Sequence, residues 1–245
     1  MMREISLSRW NALASYSRHP AAESLLQELA WFESDDGRAL ATLVVDADHE
    51  FHALILARDG VERFRTVAVT GPFESPQVAV ACLNNKLLEM QANLDELRIQ
   101  GDEVGKPVDF FAPRVAERKL HPSFRRLASG DDFCAAREVI GAMMRWYEDV
   151  DGNFVEQFQT TAFDARLWEL YLFAAMAEAG LRVTRPRPAP DMLVSGSLGE
   201  FALEATTINR VCPSTADRRR RRFRAAARRS KRTFSTICRS DTPDR

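Results

Sequence analysis

Cysteine is scarce in this chain of 245 residues, and its four copies, Cys82, Cys134, Cys212 and Cys238, stand far apart with no C-x-x-C pair. That spacing offers neither a thiolate zinc site nor a disulfide framework, so the thiols are expected to be reduced, with Cys82 and Cys134 buried. Long apolar runs are missing too. No stretch approaches the roughly 18 residues that span a bilayer, and the opening MMREISLSRWNALASYS lacks an apolar signal core. The expectation is a cytoplasmic protein with no membrane contact. There is no G-x-S-x-G elbow, no P-loop and no G-x-G-x-x-G, which removes the commonest hydrolase, NTPase and dinucleotide-binding signatures. His49 and His52 lie close to Asp46 and Asp48, but a spacing of three along a strand turns two side chains to opposite faces, so no metal site is expected there. Asp149, Asp151 and Asn153 imitate the start of a calcium loop, yet Gly152 comes two places early and Thr160 stands where the loop needs an acid.

What is present suits a soluble globular protein of one large or two small domains: 45% hydrophobic and 28% charged residues. The net charge of -1 hides an asymmetry. From Arg210 onward there are 12 Arg and 1 Lys against 3 Asp, leaving 21 basic and 32 acidic residues before that point. The body is acidic and the tail basic, and a basic tail attracts nucleic acid by releasing counterions from phosphates.

Residues 20–32 have the spacing of a helix, with Leu25, Leu26, Leu29 and Phe32 on one face. After the turn residues Ser34, Asp35, Asp36 and Gly37, three strand-like runs follow at 38–45, 51–58 and 62–70, with Asp59-Gly60 marking a hairpin between the last two. Pro76 opens a helix reaching about Leu97, whose Val80, Leu83, Leu87, Leu88 and Leu94 suit packing on that sheet. Residues 1–100 therefore read as a small α+β module. Gly101, Gly105, Pro107, Pro113 and Pro122 break the pattern and place a linker at 101–122. A helix then runs from Asp131 to about Tyr147, and 148–161 reads as a solvated connection containing Asn153, Gln157 and Gln159.

Residues 163–207 carry the candidate chemistry. Leu167, Leu170, Tyr171, Ala174 and Ala177 recur at helical spacing up to the stop at Gly180, which places Glu169 on a helix. Strands are expected at 181–184, 191–194 and 201–208, with a turn at 195–199 between the last two. Asp191 and Glu204 then fall on paired strands, an arrangement that suits a hard divalent cation held through oxygen. Glu204 lies among Phe201, Leu203, Ala205 and Ile208, so its acid is expected to need a partner.

A helix bearing Glu, then Pro190-Asp191, then Glu204-Ala205-Thr206 on the next strand, resembles the PD-(D/E)XK nuclease superfamily. The resemblance implies a restriction-endonuclease-like α/β core at 123–209 that hydrolyses phosphodiester bonds in DNA. By the same resemblance, Mg²⁺ or Mn²⁺ is held by Asp191, Glu204 and the Ala205 carbonyl, and Glu169 orients a water. Thr206 departs from the family's Lys. Arg166, one turn before Glu169, is a stand-in for charge but not for a base, because arginine keeps its proton. Arg166, Arg182, Arg185 and Arg187 are the candidate phosphate contacts.

The alternative is an inactive relative that binds nucleic acid, or a protein partner through residues 1–100. Residues 210–245 lack the closing helix and strand of such a core. Their composition fits a shifted reading frame in a GC-rich gene better than a selected nucleic-acid arm; either origin predicts a disordered tail, and a shifted frame predicts an incomplete core. The fold class expected is α+β: an antiparallel sheet module followed by that nuclease-like core.

Overall fold

The computed structural model describes residues 1–19, 22, 25–186 and 189–208. Within them, Met1–Thr207 forms one compact α+β unit. No helix among the described residues is long and apolar enough to cross a membrane.

Five antiparallel strands form a meander in chain order: β1 (Met2–Ile5), β2 (Leu26–Ser34), β3 (Ala39–Asp46), β4 (Phe51–Arg58) and β5 (Phe64–Phe73). Helix α1 (Leu7–Ala14) follows β1 and is capped by Ser6, whose hydroxyl accepts from the Arg9 N–H at 3.2 Å. The central strand β3 is buried on both faces. Ala39, Ala41 and Leu43 face α2 (Pro76–Met90), while Leu40 packs with Trp10 and Leu13 of α1. Alternation at period two thus feeds two separate cores. A short helix α3 (Leu94–Leu97) replaces the end of the single long helix expected to reach 97.

The predicted helix over 20–32 is a strand in the part that the structure describes as an element, Leu26–Ser34. A β-bulge explains the false period. Glu28 pairs with Val44 and Ala30 with Leu43, which leaves Leu29 as an extra, 39% exposed residue. That insertion gives a strand the i, i+3 spacing of a helix. Strand β1 and helix α1 are too short for the sequence pattern to reveal and went unpredicted.

Helices α4 (Pro122–Ser129), α5 (Cys134–Trp146), α6 (Phe154–Gln159) and α7 (Phe163–Glu178) surround a second core of Phe124, Leu127, Ile140, Met144, Tyr147, Phe158 and Leu170. A three-stranded antiparallel sheet, β6 (Arg182–Thr184), β7 (Met192–Gly196) and β8 (Gly199–Leu203), closes it by inserting Met192 and Val194, both fully buried. The β6 and β7 strands match the expected positions within two residues. The β7–β8 turn is tighter than the expected 195–199: Ser195 pairs with Glu200 and Gly196 with Gly199, so only Ser197 and Leu198 turn.

The segment read as a linker and the connection before α7 both join this core. Gln159, fully buried, is not a solvated loop residue but the end of α6. The two halves also meet through ion pairs: Arg9 bonds Glu33 of β2 at 2.6 Å and Glu138 of α5 at 3.3 Å. Cys82 is half-buried and Cys134, expected inside, is exposed; Cys212, Cys238 and the basic tail lie outside the described residues.

Candidate metal centre and its buried brace

Helix α7 ends as its sequence predicts. Gly180 sits at φ 75°, its N–H donates to the Ala177 carbonyl, and the Leu181 N–H donates to Met176, which turns the chain directly into β6. The buried face is rotated from the expected one. Phe163, Glu169, Leu170, Phe173, Ala174 and Ala177 point inward, whereas Tyr171 is 58% exposed and stacks on Trp168. Glu169 is therefore 2% exposed.

An acid so buried needs neutralising partners, and the fold supplies three. The Tyr147 hydroxyl donates to Glu169 Oε1, Arg185 approaches the same oxygen at 3.2 Å, and Arg166 pairs with Oε2. Arg185 is itself 6% exposed and lies 4.3 Å over the Tyr147 ring. Its remaining donors bond the Glu148 carbonyl and, at 2.8 Å, the Asp191 carbonyl. Burial first, then the hydrogen bond to Glu169, raises the Tyr147 phenol far above its ordinary range, so it stays a donor. Arg166 also donates to Gln157 at 2.8 Å. Arg166 and Arg185, read from sequence as phosphate contacts, are thus engaged with Glu169. Arg182 is exposed on β6 and forms no ion pair among the described residues, and Arg187 lies outside them.

Asp191 and Glu204 flank the Met192–Leu203 pair of the β7–β8 ladder, one residue before β7 and one after β8. They sit opposite one another. Asp191 Oδ2 accepts the Ala205 N–H at 2.7 Å, which ties the two strand ends. Glu204 is exposed, not embedded in core, because β8 is covered on neither face up to Ala202. Hydrogen bonding with Asp191, and next the charge of Asp191, push the Glu204 carboxyl above the usual carboxylate range, and Glu169 adds to the rise. Two acids that resist ionising together are a donor set suited to a hard divalent cation, which would relieve the repulsion. Both Glu169 oxygens, by contrast, are already occupied, so it reaches the pair through Arg185 and the Asp191 backbone.

The raised titration of Glu204 gives an expected pH effect. Its favourable contribution is complete below the ordinary carboxylate pKa and is lost as pH rises through the higher folded value. Glu204→Gln removes that loss. In chelator, the variant is expected to gain melting temperature over the wild type as pH rises from acid to neutral, and thermal melts across that range measure the difference. A constant gap would sink the electrostatic reading.

A second donor set lies where no metal site is expected around His49 and His52, and it includes Glu50 instead of Asp48. Ligand atoms of Asp46, Glu50 and His52 all lie within 4.8 Å of one another, and His52 meets Asp46 at 3.1 Å; His49 is outside the set. The turn explains the Asp46 position: its Oδ1 accepts from the N–H groups of Asp48 at 3.0 Å and Glu50 at 2.9 Å. Those backbone bonds, led by that of Glu50, hold its carboxyl below the usual range.

Comparison of the chain with protein-family models, with curated proteins and with solved structures finds no match.

Proposed function

We propose that this protein is a divalent-cation-dependent nuclease of PD-(D/E)XK type that hydrolyses phosphodiester bonds in DNA. The observation that carries the reading is the Asp191–Glu204 pair at adjoining strand ends, with Glu204 pushed up by its neighbour. Asp191, Glu204 and the carbonyl of Ala205 would hold Mg²⁺ or Mn²⁺. Bound there, the ion would polarise a phosphate and lower the pKa of water. Glu169 takes a different part from the one its motif implies: through Arg185 it fixes the Asp191 backbone, and so positions the pair. Exposed Arg182 is available to a phosphate oxygen.

A non-catalytic relative, binding nucleic acid or a protein partner through residues 1–100, is favoured by one specific feature. Thr206 replaces the family's Lys, and Arg166, the candidate substitute for its charge, is held by Glu169 and Gln157. Metal separates the two readings. Titration of Mg²⁺ or Mn²⁺ into the full chain, followed by plasmid cleavage on the same samples, is expected to show binding and nicking that chelator abolishes. Folded protein that binds neither ion would defeat the nuclease reading and leave the relative.

A further inference from the structure

Outside residues 114–126, nine of the thirteen described arginines before Arg210 are matched to an acid. Arg3 and Arg9 meet Glu33, Arg18 meets Glu28, Arg63 and Arg65 meet Asp59, and Arg166 and Arg185 meet Glu169. Such matching is what a body with 32 acids and 21 bases before Arg210 should produce. Residues 114–126 break that pattern. The stretch RVAERKLHPSFRR carries Arg114, Arg118, Lys119, Arg125 and Arg126 against the single acid Glu117, and all five cations are exposed. None of the five forms an ion pair among the described residues. Arg126 lies over the Phe133 ring at 5.2 Å.

The backbone beneath these charges is held firmly. Gln159 donates through Nε2 to the carbonyls of Phe110 at 3.0 Å and Ala112 at 2.9 Å, and its Oε1 accepts from the Arg114 N–H at 2.8 Å. Its own carbonyl accepts from His121 at 2.9 Å. The His121 ring stacks on Phe163, centroids 5.1 Å apart, and Leu120, Phe124 and Leu127 are buried in the helical core. Phe163 opens the helix that carries Glu169, so the basic stretch is fastened to the start of the site helix.

We propose that residues 114–126 form the surface that receives the phosphate backbone of DNA; the choice of partner rests on the nuclease reading above. Unpaired guanidinium and ammonium groups on a fixed backbone can bond phosphate oxygens with little ordering cost. The acidic remainder of the body repels a polyanion, so that outside the candidate metal centre and Arg182 contact concentrates on this stretch and the basic tail. A bilayer is a poorer fit, since Leu120, Phe124 and Leu127 all face inward and leave no large apolar side chain to insert.

The test is fluorescence anisotropy of a labelled DNA duplex with the full chain in chelator. Two variants are compared: Arg118→Glu/Lys119→Glu/Arg125→Glu, and a tail variant with the arginines at 218–222 changed to Ala. The triple variant is expected to keep the wild-type melt, to lose at least about tenfold in affinity near 0.1 M salt, and to flatten the log–log salt slope by about 0.9 for each phosphate contact removed. Unchanged affinity and slope in a folded triple variant, with binding lost in the tail variant, would overturn the proposal. So would binding to phosphatidylserine vesicles with none to the duplex. Triple-variant-sensitive binding without any cleavage refutes the nuclease reading and leaves this surface standing; metal-dependent cleavage with triple-variant-insensitive binding does the reverse.

Discussion

Glu169→Ala is expected to destabilise the protein by about 3–5 kcal/mol, the cost of leaving a buried charge without its partner. Arg185, 6% exposed, would lose the one acid it pairs with among the described residues, and the Tyr147 hydroxyl would lose its acceptor. For a unit of this size each kcal/mol moves the midpoint by roughly 2–4 °C, so a fall of about 10 °C is anticipated in a thermal melt. Glu169→Gln keeps an acceptor for Tyr147 while removing the charge, and should fall between wild type and Ala. Because the brace reaches the Asp191 carbonyl through Arg185, metal affinity should weaken in the same order. A Glu169→Ala protein melting within about 2 °C of wild type would show that the network contributes little.

Asp191→Asn is expected to lower metal-dependent cleavage by about a thousandfold, equivalent to about 4 kcal/mol of transition-state stabilisation. The amide keeps an oxygen able to accept the Ala205 N–H, which Asp191 now accepts at 2.7 Å, so the fold should survive. It changes the hydrogen bond that raises Glu204 and removes the charge that adds to it, so the Glu204 carboxyl should move toward its ordinary range. Asp191→Ala removes the bond as well and should cost stability in addition to cleavage. Comparing the two, by cleavage rate and by melting temperature, separates the ligand from the strand-end tie. Wild-type cleavage in a folded Asp191→Asn protein would remove Asp191 from the metal centre.

The strands of the meander at 39–46 and 51–58, the helix at 163–178 with its glycine stop and the β7–β8 hairpin were legible in sequence, because local period and turn chemistry determine them, although β8 ends at Leu203 rather than 208 and leaves Asp191 and Glu204 just beyond the strand ends. The juxtaposition of those two acids was legible for the same reason: a hairpin sets its own register. Tertiary structure alone decided the rest. A bulge at Leu29, defined only against β3, turned an apparent helix into β2. Rotation of α7 against its neighbours buried Glu169 and exposed Tyr171, which a one-helix pattern cannot distinguish. Arg185 became part of a brace, and 114–126 a fixed basic surface, through partners 16 and 45 residues away, Glu169 and Gln159. Local sequence fixes dihedral preference and side-chain period; which polar groups lose water, and whom they meet when they do, depends on packing between segments distant in the chain.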